Sequence, residues 1–262
     1  MLNTPIATEG TAGWERVEAK FGTGPGSRCA IGLLGLATDR VGEPDTKAFL
    51  AGLDGVEIFT TRVPMAPVAT PESLAAMGPH LEAAAGLLVP GSRLDVIGFS
   101  CTSGTVAIGC AEVAQAIRRA QPGIAVTTPI EAGAEALRRL GCRRISLLAP
   151  YRPATADLVA GFFADQGFAI DARATFDLDG DPDMNRVTAD CLIAGAKRVL
   201  HADSDALYIS CTGLETAPVV AAIEQAIGRP VVTSNQALAW HALRLAKVED
   251  RVAGKGRLFE TA

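Results

Sequence analysis

The feature that most limits the fold is an internal repeat of long period. Ile31-Gly32-Leu33-Leu34-Gly35-Leu36 resembles Ile145-Ser146-Leu147-Leu148-Ala149-Pro150, 114 residues further on. Ser100-Cys101-Thr102 returns as Ser210-Cys211-Thr212 after 110. Val126-Thr127-Thr128 matches Val232-Thr233-Ser234, and Ala136-Leu137-Arg138 matches Ala242-Leu243-Arg244, both after 106. One such match arises by chance, but an ordered series with slowly drifting offsets does not. Solenoid repeats run to about 20–50 residues, so a period this long means two duplicated domains. With 262 residues, 48% of them hydrophobic, each half has chain enough for its own core.

Within each half, short aliphatic runs alternate with helical patterns. The runs at 30–34, 56–60, 95–99, 125–127, 145–149, 206–209 and 230–233 read as strands. Between them, Val106, Cys110, Val113 and Ile117 recur at four, three and four, which predicts a helix over 104–120 with one apolar stripe. Gly141 after Leu140 and Gly228 after Ile227 read as helix C-caps. Apolar strands alternating with helices imply parallel sheets covered on both faces. The expected class is α/β, with two pseudo-symmetric Rossmann-like (flavodoxin-like) domains. The expected division is a loosely ordered arm over 1–27, an N-terminal domain over 28–140, a C-terminal domain over 141–245, and a tail over 246–262 that returns to the first domain.

Composition removes several functions. The net charge is −5 and no Lys/Arg run exceeds two residues, so phosphate neutralisation by clustered bases is not available to a nucleic-acid partner. No stretch approaches the roughly 18 apolar residues of a spanning helix, and residues 1–27 lack the apolar core of a leader. The six cysteines are scattered without a CxxC pair, which suits neither a disulfide framework nor zinc. A reduced, cytoplasmic protein is expected.

Two of those cysteines carry the chemistry. Ligands of doubly wound sheets sit beyond the carboxyl ends of the strands. Cys101 and Cys211 follow equivalent strands there, each expected before a helix whose N-terminus favours thiolate. Thr102, Ser103, Thr105 and Thr212 add hydroxyls, and Gly104 and Gly213 let a ligand approach the backbone, a setting that suits a carboxylate. Facing domains would set the two sulfurs on opposite sides of one ligand. Such thiols can take a proton from one face of a carbon and return it to the other, or add to a double bond and permit rotation. A lone strand-end Cys is ordinarily a small buried hydrophobe, and Cys29, Cys110, Cys142 and Cys191 are read that way.

At these residues the sequence resembles the aspartate/glutamate racemase superfamily, in its maleate isomerase and arylmalonate decarboxylase branch. The likeness rests on Cys101-Thr102-Ser103-Gly104-Thr105, Ala149-Pro150-Tyr151, Ser210-Cys211-Thr212-Gly213 and Gly256-Arg257-Leu258-Phe259. It extends through Ile31-Gly32, Ala37-Thr38-Asp39, Thr127-Thr128-Pro129 and the stretch from Thr233 to His241, where it resembles the ectoine-utilisation group called EutA. The resemblance implies a ligand between the halves, held by Thr102, Ser103, Tyr151, Thr212 and Gly213, with Cys101 and Cys211 as the paired catalytic thiols. It also implies a homo-oligomer (dimer or tetramer) and a small carboxylate substrate, an acylated diaminobutyrate in the EutA case. Maleate isomerases carry Asn in the loop where this chain has Asp39. An acid there would repel a second carboxylate or pair with a substrate amine.

Other candidates are weaker. Gly22-Thr23-Gly24-Pro25-Gly26 precedes a strand, so it is no dinucleotide loop. His80, His201 and His241 are too scattered for a metal site. The alternating Asp177, Asp179, Asp181 and Asp183 lack the later Glu of a calcium loop and read as a solvated turn. No metal and no cofactor is expected.

Overall fold

The computed structural model describes residues 17–261, so most of the expected arm, residues 1–16, lies outside the described part. Residues 17–28 form no helix or strand, and Val17 and Phe21 are exposed. The first half runs β1 (Cys29–Leu36), α1 (Gly42–Leu50), β2 (Val56–Val63), α2 (Pro71–Ala75), α3 (Leu81–Gly86), β3 (Val96–Phe99), α4 (Thr102–Ile108), α5 (Cys110–Ala120), β4 (Ala125–Thr127) and α6 (Pro129–Arg139). The second runs β5 (Arg144–Tyr151), α7 (Pro153–Asp165), β6 (Ala169–Leu178), α8 (Asp181–Met184), α9 (Ala189–Val199), β7 (Ala206–Ile209), α10 (Val220–Ile227), β8 (Val231–Thr233) and α11 (Ser234–Leu245).

Each half forms a four-stranded parallel sheet with the same order, β2-β1-β3-β4 and β6-β5-β7-β8. The register follows the repeat: Ile31 pairs with Val96, and their counterparts Ile145 and Ala206 pair likewise. Central strands β1, β3, β5 and β7 are buried almost throughout, as continuous apolar runs between helical layers must be. The two-domain α/β fold expected from the repeat is the fold observed.

Two local expectations are corrected. The helix expected over 104–120 is broken at Gly109, whose φ of 103° ends α4 and starts α5. Strand β6 had no sequence signal, because Asp171, Arg173 and Asp177 interrupt it; it is an edge strand, half-buried, which tolerates those charges. The C-caps behave as expected, with Gly141 and Gly228 in the left-handed region at φ 74° and 69°.

The last helix of each half crosses to the other. On α6, a Cβ at Gly133 would meet the Tyr208 ring of β7, and the Tyr208 hydroxyl donates to the Pro129 carbonyl (3.2 Å). On α11, Leu238 packs beside Gly98 of β3. One core therefore runs through both halves, from Phe49 and Ile130 to Tyr208 and Trp240. After α11, Phe259 stacks on Phe49 of α1 and Asp250 pairs with Arg28. These crossings hold the carboxyl ends of the two sheets together.

Candidate active site

Where β3 and β7 end, both cysteines line one cavity of about 20 Å³. Its walls also include Thr102, Ser103, Tyr151, Thr212, Asp181 and the apolar Met65, Leu74 and Met184. That is room for about one water molecule. Segment 64–70 closes one side. The Ala69 N–H donates to the Asp179 carbonyl (2.8 Å), and Thr155 donates to the Ala69 carbonyl (2.9 Å). Gly180 lies directly under the Pro67 carbonyl, where any Cβ would collide.

The two cysteines are held differently. Cys101 is the N-cap of α4, and its Sγ accepts the Gly104 N–H (3.3 Å). Cys211 has φ 103°, a strained conformation for any residue but glycine, and turns over 212–219 separate it from α10. A helix does follow, as expected, but α10 begins only at Val220, so its N-terminus does not adjoin Cys211. Its Sγ accepts the Gly213 N–H (3.3 Å).

A hydroxyl network joins the halves beneath them. Ser234 bonds Thr102 Oγ1 (2.8 Å) and Tyr208 (3.2 Å), and accepts the Cys211 N–H (3.0 Å). Thr212 donates to the Ser100 carbonyl (3.1 Å), and Tyr151 bonds Ser210 (3.2 Å). Deeper still, the Asp45 carboxylate of α1 accepts the N–H groups of Thr216 (3.0 Å) and Ala217 (2.8 Å), the Thr216 hydroxyl (2.9 Å) and Asn235 Nδ2 (2.9 Å). Asn235 also donates to the Thr212 carbonyl (2.9 Å). The loop after Cys211 is thus pinned by a residue of the opposite half.

The expectation of a ready thiolate is overturned for the resting protein. Cys101 and Cys211 are 4% and 6% exposed. Burial pushes the Cys101 thiol up to about 12, against the Gly104 N–H that lowers it, with Asp181 and Asp39 adding to the rise. Cys211 is pushed well above its ordinary value, by burial and then by Asp181. Desolvation outweighs one N–H donor at each sulfur.

Of the expected site residues, Cys101, Thr102, Ser103, Tyr151, Cys211 and Thr212 line the cavity, and Gly213 backs it through its N–H. Asp39 does not line it. Its carboxylate accepts the N–H groups of Val41 (2.8 Å) and Gly42 (3.1 Å) ahead of α1. The acid in the cavity is Asp181, which the sequence placed in a solvated turn. It is 9% exposed, bonded by the Thr38 hydroxyl, and burial raises its carboxyl to about 6. His241 sits elsewhere, bonded to Thr127 (2.8 Å) in a separate surface pocket with Cys110.

Comparison with known proteins follows the same residues. A profile of the arylmalonate decarboxylase family matches residues 102–259, from Thr102 behind the first cysteine to Phe259. The chain belongs to this family. It is 29% identical to the maleate isomerase of Nocardia farcinica over 87% of this chain and 94% of that enzyme. It is 33% identical to the arylmalonate decarboxylase of Bordetella bronchiseptica over 54% of this chain and 60% of that enzyme. The Nocardia farcinica maleate cis-trans isomerase bound to TRIS superposes with a TM-score of 0.81 at 25% identity, covering 88% of this chain and 98% of that one. Another structure of that enzyme, with a covalently bound succinylcysteine intermediate, has a TM-score of 0.82 at 24% identity over the same shares. The kinship supports an enzyme of isomerase type. No helix among the described residues is long and apolar enough to cross a membrane.

Proposed function

We propose that the chain is a cofactor-independent racemase or isomerase that uses Cys101 and Cys211 on a carbon next to a substrate carboxylate. The observation that carries this reading is the meeting of both sulfurs in one cavity. In the racemase version, one cysteine acts as thiolate and removes the hydrogen as a proton. The electron pair left on carbon delocalises into the carboxylate. The other cysteine, as thiol, gives its proton to the opposite face, and the two sulfurs end with exchanged protonation. Hydroxyls of Thr102, Ser103 and Tyr151 would stabilise the charge that develops on the carboxylate, while the Thr212 hydroxyl is given to the Ser100 carbonyl.

Because burial keeps both thiols protonated at rest, ionisation accompanies substrate entry. Likeness to the EutA group favours a substrate from ectoine breakdown, such as an acylated diaminobutyrate. A second reading, maleate cis–trans isomerisation, is favoured by the 29% identity to a maleate isomerase. There one thiolate would add to an alkene carbon, the bond would rotate, and elimination would release thiolate and the trans acid.

Incubation with acylated diaminobutyrate and with maleate in deuterated water, followed by NMR, separates the two. Deuterium at the α-carbon marks racemisation; fumarate marks isomerisation. Cys101→Ala and Cys211→Ala should each abolish turnover while leaving carboxylate binding largely intact. Near-normal activity in both variants would make the two-cysteine reading wrong.

A further inference from the structure

Among the residues lining the cavity, Asp181 is the only charged side chain. One carboxylate oxygen, Oδ2, accepts the Thr38 hydroxyl. Among the described residues no donor reaches Oδ1, which lies beside Gly213, 3.4 Å from where a Cβ there would stand. No Lys, Arg or His forms an ion pair with Asp181 among the described residues, and its charged neighbour is a second acid, Asp39. An unpaired carboxylate so little exposed is costly, and a fold keeps one where a partner arrives from outside.

We infer that Asp181 is the specificity-determining residue of this cavity, pairing through Oδ1 with an ammonium group of the substrate. The molecule accepted is then an amino acid or another carboxylate with a cationic nitrogen, not a simple dicarboxylate. The hydroxyls of Thr102, Ser103 and Tyr151 line the same cavity and offer donors for the carboxylate. Pairing also neutralises a charge that, with burial, opposes ionisation of both cysteines. Arrival of the ammonium would thus favour the thiolate that the reaction needs.

This inference rests on the cavity being the substrate site, but its test reads binding and not turnover. Calorimetric titration would compare matched pairs differing only in the ammonium: alanine and propionate, aspartate and succinate, and γ-N-acetyl-diaminobutyrate and acetamidobutyrate, with maleate as a further probe. At least one ammonium-bearing member should bind the native protein about tenfold or more tighter than its partner, and Asp181→Asn should collapse that preference. The inference is overturned if no pair shows the preference, if Asp181→Asn retains it, or if maleate outbinds every ammonium-bearing probe. The native protein alone decides two of these outcomes, so a variant that misfolds does not protect the idea. A Cys101→Ala protein that still prefers the ammonium member would separate failure of the catalytic reading from failure of this one.

Discussion

Asp181 titrates in the folded protein near 6, against an ordinary value of 3.8, chiefly because burial disfavours its charge. A carboxyl whose folded value is raised adds stability below its unfolded value and loses that contribution as pH rises through the folded value. The window here is about pH 4 to 6. A rise from 3.8 to about 6 corresponds to about 3 kcal/mol, and a side chain this buried is little screened by solvent. Asp181→Asn keeps the shape and the Thr38 bond but never ionises. Near pH 4 the two proteins should be about equally stable, and at about pH 8 the variant should be more stable by about 3 kcal/mol. In a chain of this size that is a melting-temperature gain of roughly 6–12 °C. Urea unfolding of both proteins across this pH range measures the difference directly. A flat difference, or a variant less stable at alkaline pH, would refute the claim that a buried, unpaired charge sits in the cavity. A gain in stability with a loss of binding would mark Asp181 as an acid kept for function at the expense of the fold.

Three further outcomes follow from the geometry. Limited iodoacetamide treatment followed by peptide mapping should label exposed Cys191 first, with Cys101 and Cys211 among the slowest; rapid labelling of either would contradict their burial. Asp45→Ala strands the buried Thr216 and Ala217 N–H groups, each worth about 1–3 kcal/mol, so the protein should melt markedly lower and turn over more slowly. A melting temperature within about 2 °C of the native one would remove Asp45 from its pinning role. Gly180→Ala drives a methyl group into the Pro67 carbonyl, so segment 64–70 can no longer close as it does here. The expected readout is increased proteolytic cleavage in that segment with little change in melting temperature, and an unchanged cleavage pattern would count against closure through Gly180.

The sequence made the architecture legible because duplication left matching strands and matching strand-end cysteines in register. It made the apolar strands legible because buried parallel strands are nearly unbroken aliphatic runs. Strand β6 escaped because an edge strand faces solvent on one side, so charged residues interrupt the pattern. The break at Gly109 escaped because one glycine inside a helical pattern carries no local mark distinguishing a tolerated residue from a left-handed joint. Asp181 was read as solvated because an aspartate-rich loop looks the same whether it faces water or a cavity; only the packing of segment 64–70 over it decides. The roles of Asp45 and Ser234 were invisible for another reason. Their partners Thr216 and Thr102 lie across the join between halves, and no local pattern encodes contacts 171 and 132 residues away.

Duplication suggests two equivalent thiols, yet the structure makes them unequal. Cys101 has an ordinary extended backbone, opens α4, and holds the Gly104 N–H against its sulfur. Cys211 has a left-handed φ that costs energy of order 1–3 kcal/mol. Turns separate it from α10, and the Asp181 charge is its foremost electrostatic opponent, ahead of the Gly213 N–H that favours the thiolate. For Cys101 the order is reversed, with the Gly104 N–H ahead of Asp181. Burial nonetheless raises both thiols, Cys101 to about 12 and Cys211 well above its ordinary value. The backbone at φ 103° is held on both sides, by the Ser234 hydroxyl that accepts the Cys211 N–H and by the loop beyond it that Asp45 pins.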